Sequence, residues 1–319
     1  MKKILIFKTD KIGDLINISP LLNNLKINFP DCEIDLVCSN YNFAISKYYT
    51  ILTNIFIYNK PIIFFLFSNY KFFFLKKYDL ILQLDGKNHS YLSAFFIRSS
   101  TKACIKFIKK KKIFYYNFIN HRPNFFLSFI FNCTVKCNED YSISNNLSFH
   151  YSTLHLELLK KLDFKIFSKK HFLPFNPNHN KYFNDYTLIH IDEKWSKPNI
   201  NFYVEFKKKI YLLAKKKNIL ITCNLNGNNF FDKLSKDLNL CLNIKFVNKS
   251  SLNELINIIY YSHTVISIHS GLIVHAAASF NKKIIDIIEP EIFDEVDRWI
   301  PYKSQYFRFN FENFFKAKF

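Results

Sequence analysis

The sequence predicts an α/β protein built from two successive parallel-sheet halves. Three observations carry that reading. Short apolar runs alternate with longer segments of helical spacing, the pattern of parallel α/β layers. The alternation breaks once, near 171–184, where Pro174, Pro177 and several asparagines cluster, and then resumes. Glycine is scarce, 4 residues in 319, and Gly13, Gly86, Gly227 and Gly271 all fall where turns are expected, three of them just after a strand.

In order, residues 4–7 read as a buried strand, 9–13 as a loop, and 14–25 as a helix that Pro20 kinks or restarts. Strands follow at 34–37, 55–58 and 80–84. Residues 95–137 show lysine and aromatic runs without a clean period, and 154–162 reads as a helix. The second half is more regular. Strands are expected at 187–191, 219–223, 244–247, 264–268 and 283–287, with helices near 202–216, 230–238, 252–261 and 272–279. The expected division is a first Rossmann-like domain over 1–172, a second over 185–300, and a tail over 301–319 that packs back on the first domain. Two such domains would face a cleft, with ligands beyond the carboxyl ends of their strands.

At 38.2 kDa, with 49% hydrophobic residues, the chain can bury a substantial core and is too apolar for disorder. The formal charge of +20 attracts polyanions, or else describes a solvated lysine surface. Nucleic acid is the weaker partner. Arginine, the bidentate reader of bases and phosphates, occurs only as Arg98, Arg122, Arg298 and Arg308, and no nucleic-acid-binding motif is present. An anionic membrane surface suits lysines set among 38 Phe and 19 Tyr. The segments 62–77 and 102–131 concentrate that mixture. Ordinary core aromatics with a solvated 109–112 lysine run remain the equal alternative.

Seven cysteines include no CxxC pair, so buried free thiols are expected rather than disulfides, and Cys133 with Cys137 lacks the second pair a metal site would need. No metal and no cofactor are expected. The N-terminal apolar run is too short for a signal peptide, and no stretch reaches membrane-spanning length. A cytoplasmic protein is expected, peripheral on the inner face of the cytoplasmic membrane.

Two places carry candidate chemistry. Asp14 follows Gly13 at a helix start beyond the first strand, where it would serve as a first-turn acid or as a base aimed into the cleft. His269-Ser270-Gly271-Leu272-Ile273-Val274-His275 follows the strand at 264–268. Ser270 and Gly271 open a helix whose free N–H groups suit a phosphate, with His275 in its first turns. Taken singly, Ser270 also reads as a plain cap and His275 as a core histidine.

Three stretches together resemble glycosyltransferase family 9, the ADP-heptose:lipopolysaccharide heptosyltransferases. They are ILIFKTDKIGDLINISPLLNNLKINFPDCEIDLV at 4–37, KKYDLILQLDGK at 76–87 and SLNELINIIYYSHTVISIHSGLIVHAAASFNKKIIDIIEP at 251–290. The resemblance implies a GT-B enzyme that is inverting and independent of metal. An acceptor domain would precede a nucleotide-sugar donor domain, and the acceptor would be a lipid-linked glycan. It implies that Asp14, beside Gly13, is the catalytic base. The donor diphosphate would be held by Ser270, Gly271, Leu272, His275 and a lysine, Lys194 in preference to Lys197. Where the family has a carboxylate before Ser/Thr-Gly, this chain has His269, and the glutamate expected after 219–223 is replaced by amides over 224–229. These departures point to a donor other than ADP-heptose. They also support the alternative of a catalytically degenerate GT-B protein that binds glycolipid or membrane. A nucleotide-sugar 2-epimerase fits the opening motif less well.

Overall fold

A computed structural model describes residues 1–108, 130–138, 151–196, 200–224, 228–293, 296, 299–301 and 304–317. The chain divides into two compact units, Met1–Pro174 and Phe175–Phe319. Each holds one all-parallel six-stranded sheet.

In the first unit β1 (Lys3–Lys8) leads to α1 (Ile12–Asn17), α2 (Ser19–Asn28) and β2 (Glu33–Cys38), then α3 (Asn40–Ser46) and β3 (Asn54–Ile57). Next come α4 (Ile62–Ser68), α5 (Tyr70–Phe73), β4 (Tyr78–Gln83), α6 (Asn88–Phe96), β5 (Ser99–Ile108), β6 (Cys133–Asn138) and α7 (Tyr151–Lys161). The strand order is β3-β2-β1-β4-β5-β6. Pro20 sits in the first turn of α2, so it restarts the helix rather than kinking it. One expectation moves: α1 begins at Ile12, so Gly13 lies inside a helix, buried, and not at a turn. Among the described glycines only Gly86, just after β4, has a positive φ, 67°. Gly227 is outside the described residues.

The stretch without a readable period contains β5 and β6. Lys102 and Lys106 interrupt the apolar alternation of β5, and β6 closes the sheet edge, so β6 does not need the continuous apolar run of a central strand. Cys133 and Cys137 both lie on β6, neither of them in a disulfide, four residues apart on an extended strand. That separates their Cα atoms by roughly 13 Å, too far to share one ion. The 62–77 segment is part core and part exposed surface. Phe65, Leu66 and Phe73 are core, packed with Leu5, Phe7 and Ile81, while Ile63, Phe64, Phe67, Tyr70 and Leu75 are exposed.

The second unit runs β7 (Thr187–Ile191), a 3₁₀ turn (Glu193–Ser196), α8 (Ile200–Ala214), β8 (Ile219–Cys223), α9 (Asn229–Leu238), β9 (Ile244–Asn248) and α10 (Leu252–Tyr261). It continues with β10 (Thr264–Ile268), α11 (Gly271–Ser279), β11 (Lys283–Ile287), β12 (Gln305–Phe309) and α12 (Phe311–Lys316). The order is β12-β11-β10-β7-β8-β9. Strands β7, β8 and β10 are buried along their whole length, as strands covered on both faces must be. Side chains cap the helices where the sequence offers them. Asn228 accepts from Phe231 N at 3.1 Å before α9, and Ser251 from Glu254 N at 3.1 Å before α10.

The 301–319 tail needs correction. Its residues build β12, paired in parallel with β11, and α12, whose Phe314 is buried in the second unit's core with Phe206 and Ile210. The tail belongs to the second sheet, because a strand with the Gln-Tyr-Phe-Arg-Phe alternation suits a sheet edge. Among the described residues, no helix is long and apolar enough to cross a membrane.

Candidate functional site

In a doubly wound sheet the loops diverge where the strand order reverses, and that crevice is the usual ligand site. In the second unit the reversal lies between β7 and β10. Two loops leave there, Asp192–Lys194 from β7 and His269–Ser270 from β10. Trp195 anchors the first. It is fully buried against Phe202, Phe206 and Phe230, and this fixes the 3₁₀ turn that carries Lys194. Asp192 accepts from Lys194 N at 3.0 Å, and burial pushes its carboxyl up to about 6 against the pull of Lys194. The ammonium of Lys194 crosses the divide and donates to the His269 carbonyl.

His269 sits with φ 29°, a left-handed conformation that costs a non-glycine residue about 1–3 kcal/mol. Its Nδ1 lies 2.8 Å from Oδ2 of Asp286, which is wholly buried on β11. Tyr306 on β12 donates its hydroxyl to the same oxygen at 2.7 Å. Ser270 is the N-cap of α11 but makes no side-chain cap bond, and Gly271 is the first helical residue. The leading N–H groups of a helix lack intrahelical acceptors, so this end suits an anion. Leu272 is half-buried in the same turn, and His275, one turn on, is buried. The structure therefore brings Lys194, His269, Ser270 and Gly271 together and places His275 in the packed side of the helix. Lys197 lies outside the described residues.

The first unit reverses between β1 and β4. Asp14 is there, half-buried in the first turn of α1, its Oδ2 accepting from Lys11 N at 3.2 Å. The structural role expected of a first-turn acid is thus filled. Beside it lies a network that sequence reasoning missed. Asp85 accepts from Thr9 N at 2.9 Å, Thr9 Oγ1 at 2.6 Å, Ser90 Oγ at 2.7 Å, Gln83 Nε2 at 2.7 Å and Lys87 N at 3.1 Å. Lys8 pairs with Asp10 at 2.7 Å, and Lys87 reaches Asp10 at 3.4 Å and the Thr9 carbonyl at 2.6 Å. His89 Nε2 lies 2.8 Å from Thr9 Oγ1, its ring stacked on Tyr58.

Burial alone would raise the Asp85 carboxyl. The Thr9 hydroxyl, His89, the Lys87 amide and Ser90 outweigh burial and hold it below the usual carboxylate range. Burial would lower Lys8, but Asp10, Asp14 and Asp85 together raise it. Burial raises Asp10 against the pull of Lys8, and Asp85 and Asp14 add to the rise. Asp14 is thus close enough to act electrostatically on both. The signal that could have found this network was positional. Thr9-Asp10 and Asp85-Gly86-Lys87 are the polar residues immediately past two adjacent central strands.

Among the described residues, no group of three or more His, Cys, Asp or Glu side chains could hold a metal ion. A depression of about 520 Å³ lined by Tyr186, Lys215, Lys216, Lys217 and His263 lies at the opposite, strand-entry end of the second sheet and contains none of the predicted residues.

No protein-family profile and no curated protein matches the sequence. Solved structures do match in shape. The Escherichia coli heptosyltransferase WaaC with ADP aligns at TM-score 0.72 and 16% identity, covering 97% of this chain and 93% of that one. A glycosyl transferase family 9 protein from Veillonella parvula aligns at TM-score 0.71 and 12% identity, covering 99% and 87%. The E. coli ADP-heptose lipopolysaccharide heptosyltransferase II aligns at TM-score 0.67 and 11% identity, covering 97% and 90%. With two parallel six-stranded sheets in the same chain order, this protein has the two-domain α/β fold of the family 9 heptosyltransferases.

Proposed function

We propose that the protein is a family 9 glycosyltransferase that moves a sugar, heptose or a relative, from a nucleotide-sugar donor to a lipid-linked glycan of the lipopolysaccharide-core type. The observation that carries this reading is the junction at the second sheet's reversal. Lys194 meets the His269–Ser270 turn at the mouth of α11, in a fold shared with a heptosyltransferase that was solved with ADP.

The chemistry is a single displacement. The acceptor hydroxyl gives its proton to Asp14 as its oxygen attacks the anomeric carbon, and the bond from that carbon to the diphosphate oxygen breaks. One displacement inverts the anomeric configuration. Charge builds on the leaving nucleoside diphosphate, where the Lys194 ammonium and the first N–H groups of α11 stabilise it without a metal ion. The acceptor's lipid brings the protein to the anionic inner face of the cytoplasmic membrane. Two observations support that contact: the +20 formal charge, and the exposed Ile63, Phe64 and Phe67 of α4 between exposed Lys60 and Lys71.

The test is release of nucleoside diphosphate from a panel of nucleotide sugars in the presence of truncated, lipid-free core glycan. We expect turnover with at least one donor, and Asp14→Asn to lower kcat by ~10²–10⁴ while the protein still binds nucleotide. Lack of turnover for every donor, together with lack of nucleotide binding, would remove the reading. Nucleotide or glycolipid binding without turnover would leave the non-catalytic alternative.

A further inference from the structure

The depression at the strand-entry end of the second sheet has a built floor and cations with no task in the fold. It lies within the second unit, where β7, β8, β9 and β10 begin, and holds about 520 Å³. Three backbone bonds lace its floor. Thr187 N donates to the Asn218 carbonyl at 2.9 Å, His263 N to that of Tyr186 at 3.0 Å, and Ile219 N to that of Asn243 at 2.8 Å. Lys215, Lys216 and Lys217 line it directly after α8, and all three are exposed. Lysines behind a helix end ordinarily serve its free carbonyls. Here that work is already done. The Leu213 carbonyl accepts from Lys216 N and Lys217 N at 2.9 and 3.0 Å, and the Ala214 carbonyl accepts from Asn243 Nδ2 at 3.0 Å. Lys215 rests over the Tyr211 ring, 4.9 Å from its centroid, and none of the three ammonium groups is in an ion pair among the described residues. Asp185 is the one carboxylate among the described lining residues, so three lysines leave the depression positive.

We propose that this depression is an anion site for a phosphate group, at the opposite end of the sheet from the Lys194–His269 junction. Compact ammonium charges on flexible stems suit a multiply charged oxyanion such as phosphate. A planar carboxylate is matched better by a guanidinium fork, which the described lining does not contain. The rim adds a second feature. A turn closed by Ile244 N on the Cys241 carbonyl at 3.0 Å carries Asn243 into the lining and sets Leu242 beside it. Leu242 and Leu240 are 93% and 90% exposed, more than any other large apolar side chain among the described residues. Exposed leucines next to cations fit the level where lipid headgroups meet acyl chains. The phosphate has two sources of the same chemistry, a soluble phosphate ester and a phospholipid headgroup, and the leucines bear only on the second. The site uses none of the residues assigned to sugar transfer, so it stands or falls apart from the glycosyltransferase reading.

The experiment measures binding of two probes to the full chain at about pH 8, where histidine is neutral and lysine charged by their ordinary values. One probe is glycerol phosphate, followed by phosphorus NMR. The other is vesicles of phosphatidylcholine with and without phosphatidylglycerol, followed by co-sedimentation. Lys216→Gln with Lys217→Gln is compared with Lys165→Gln with Lys170→Gln, two exposed lysines of the first unit whose loss removes the same charge elsewhere. A lysine beside an anionic surface is worth about fivefold in affinity. The site pair should therefore weaken binding of at least one probe by roughly 25-fold, and the control pair by less than about threefold. Loss on the phosphatidylglycerol vesicles, repeated by Leu240→Ser with Leu242→Ser, assigns the phosphate to a lipid headgroup. Loss on glycerol phosphate, with the leucine pair silent, assigns it to a soluble ester. Both results support the site. Equal losses in the two lysine pairs mean that the +20 charge acts diffusely, and they overturn it, as does failure of both probes to bind. Sugar transfer and nucleotide binding should be unchanged in every one of these variants.

Discussion

The two sheets reverse in the same way, yet their reversal points are furnished oppositely. In the first unit, most polar groups at the ends of β1 and β4 meet one another, with Gln83 Oε1 left unmet among the described residues. Asp85 is ringed by donors from Thr9, Gln83, Lys87 and Ser90, and Lys8 and Lys87 share Asp10. In the second unit, Lys194 meets a carbonyl, His269 leaves one nitrogen open, and Asp286 leaves one oxygen unmet. A closed network holds a shape, because every partner lost exposes a buried charge. An open one has bonds left to make, and under the proposed function the donor would make them. The contrast predicts where stability and where ligand affinity will respond to substitution.

The largest effect should come from opening the closed network. Asp85→Ala would strand Thr9, Ser90, Gln83 and the Lys87 amide without their acceptor and remove the charge that helps hold Lys8. We expect a loss of about 3–5 kcal/mol, confined to the first unit. Scanning calorimetry should resolve a transition that moves down for that unit while the second unit's transition stays in place. An unchanged profile would mean that the ring of donors is loosely held, and the contrast between the units would fail.

The acid limb of stability separates the units further. His190, on β7 beside Thr222, is buried, and burial pushes it down to about 4. Its ordinary value is near 6.5. The unfolded chain therefore takes up a proton below pH 6.5 that the folded chain refuses until about pH 4. Stability from this group is fully present above 6.5 and is lost as the pH falls through that window, by roughly 3 kcal/mol. His190→Gln should flatten the pH dependence of the second unit between pH 6.5 and 4. The first unit has its own acid-sensitive histidine, His155, which burial first and then the Lys8 and His171 charges lower well below the usual range. Asp85 adds a later loss. Its carboxyl is depressed, so its contribution is present above the ordinary carboxylate value near 4 and disappears only below it. Denaturation followed against pH by unit-specific probes would show whether these limbs occur in that order.

The same contrast explains what the sequence revealed. The second unit's strands were legible because each is a compact apolar run between helices of clear period. β8, Ile-Leu-Ile-Thr-Cys, and β10, Thr-Val-Ile-Ser-Ile, are buried end to end. Strands β5 and β6 were not, because lysines stand within them and one is an edge. The edge strand β12 was lost for a similar reason, an exposed alternating pattern that reads as tail. Site residues followed the same rule. Ser270 and Gly271 open a helix just past a strong strand, so position suggested them, and the resemblance to family 9 pointed to Lys194. Asp85, Lys8 and Asp286 find their partners 76 or 17 residues away, a pairing that only the parallel register of β1 with β4 and of β10 with β11 discloses.

The smallest predicted effect is the most diagnostic of an open site. Tyr306→Phe removes one hydrogen bond to Asp286 Oδ2 and leaves the ring's packing intact. A bond to a charged acceptor is worth about 1.5–3 kcal/mol, and here the lower end is expected, since Asp286 keeps its contact with His269. With one donor fewer, the carboxylate depends more on its contact with His269. Stability should fall slightly while nucleoside diphosphate affinity holds. A variant of unchanged fold that loses affinity would mean that Tyr306 positions His269 through the carboxylate. The second reversal point would then be a built network like the first, not a site left open for its ligand.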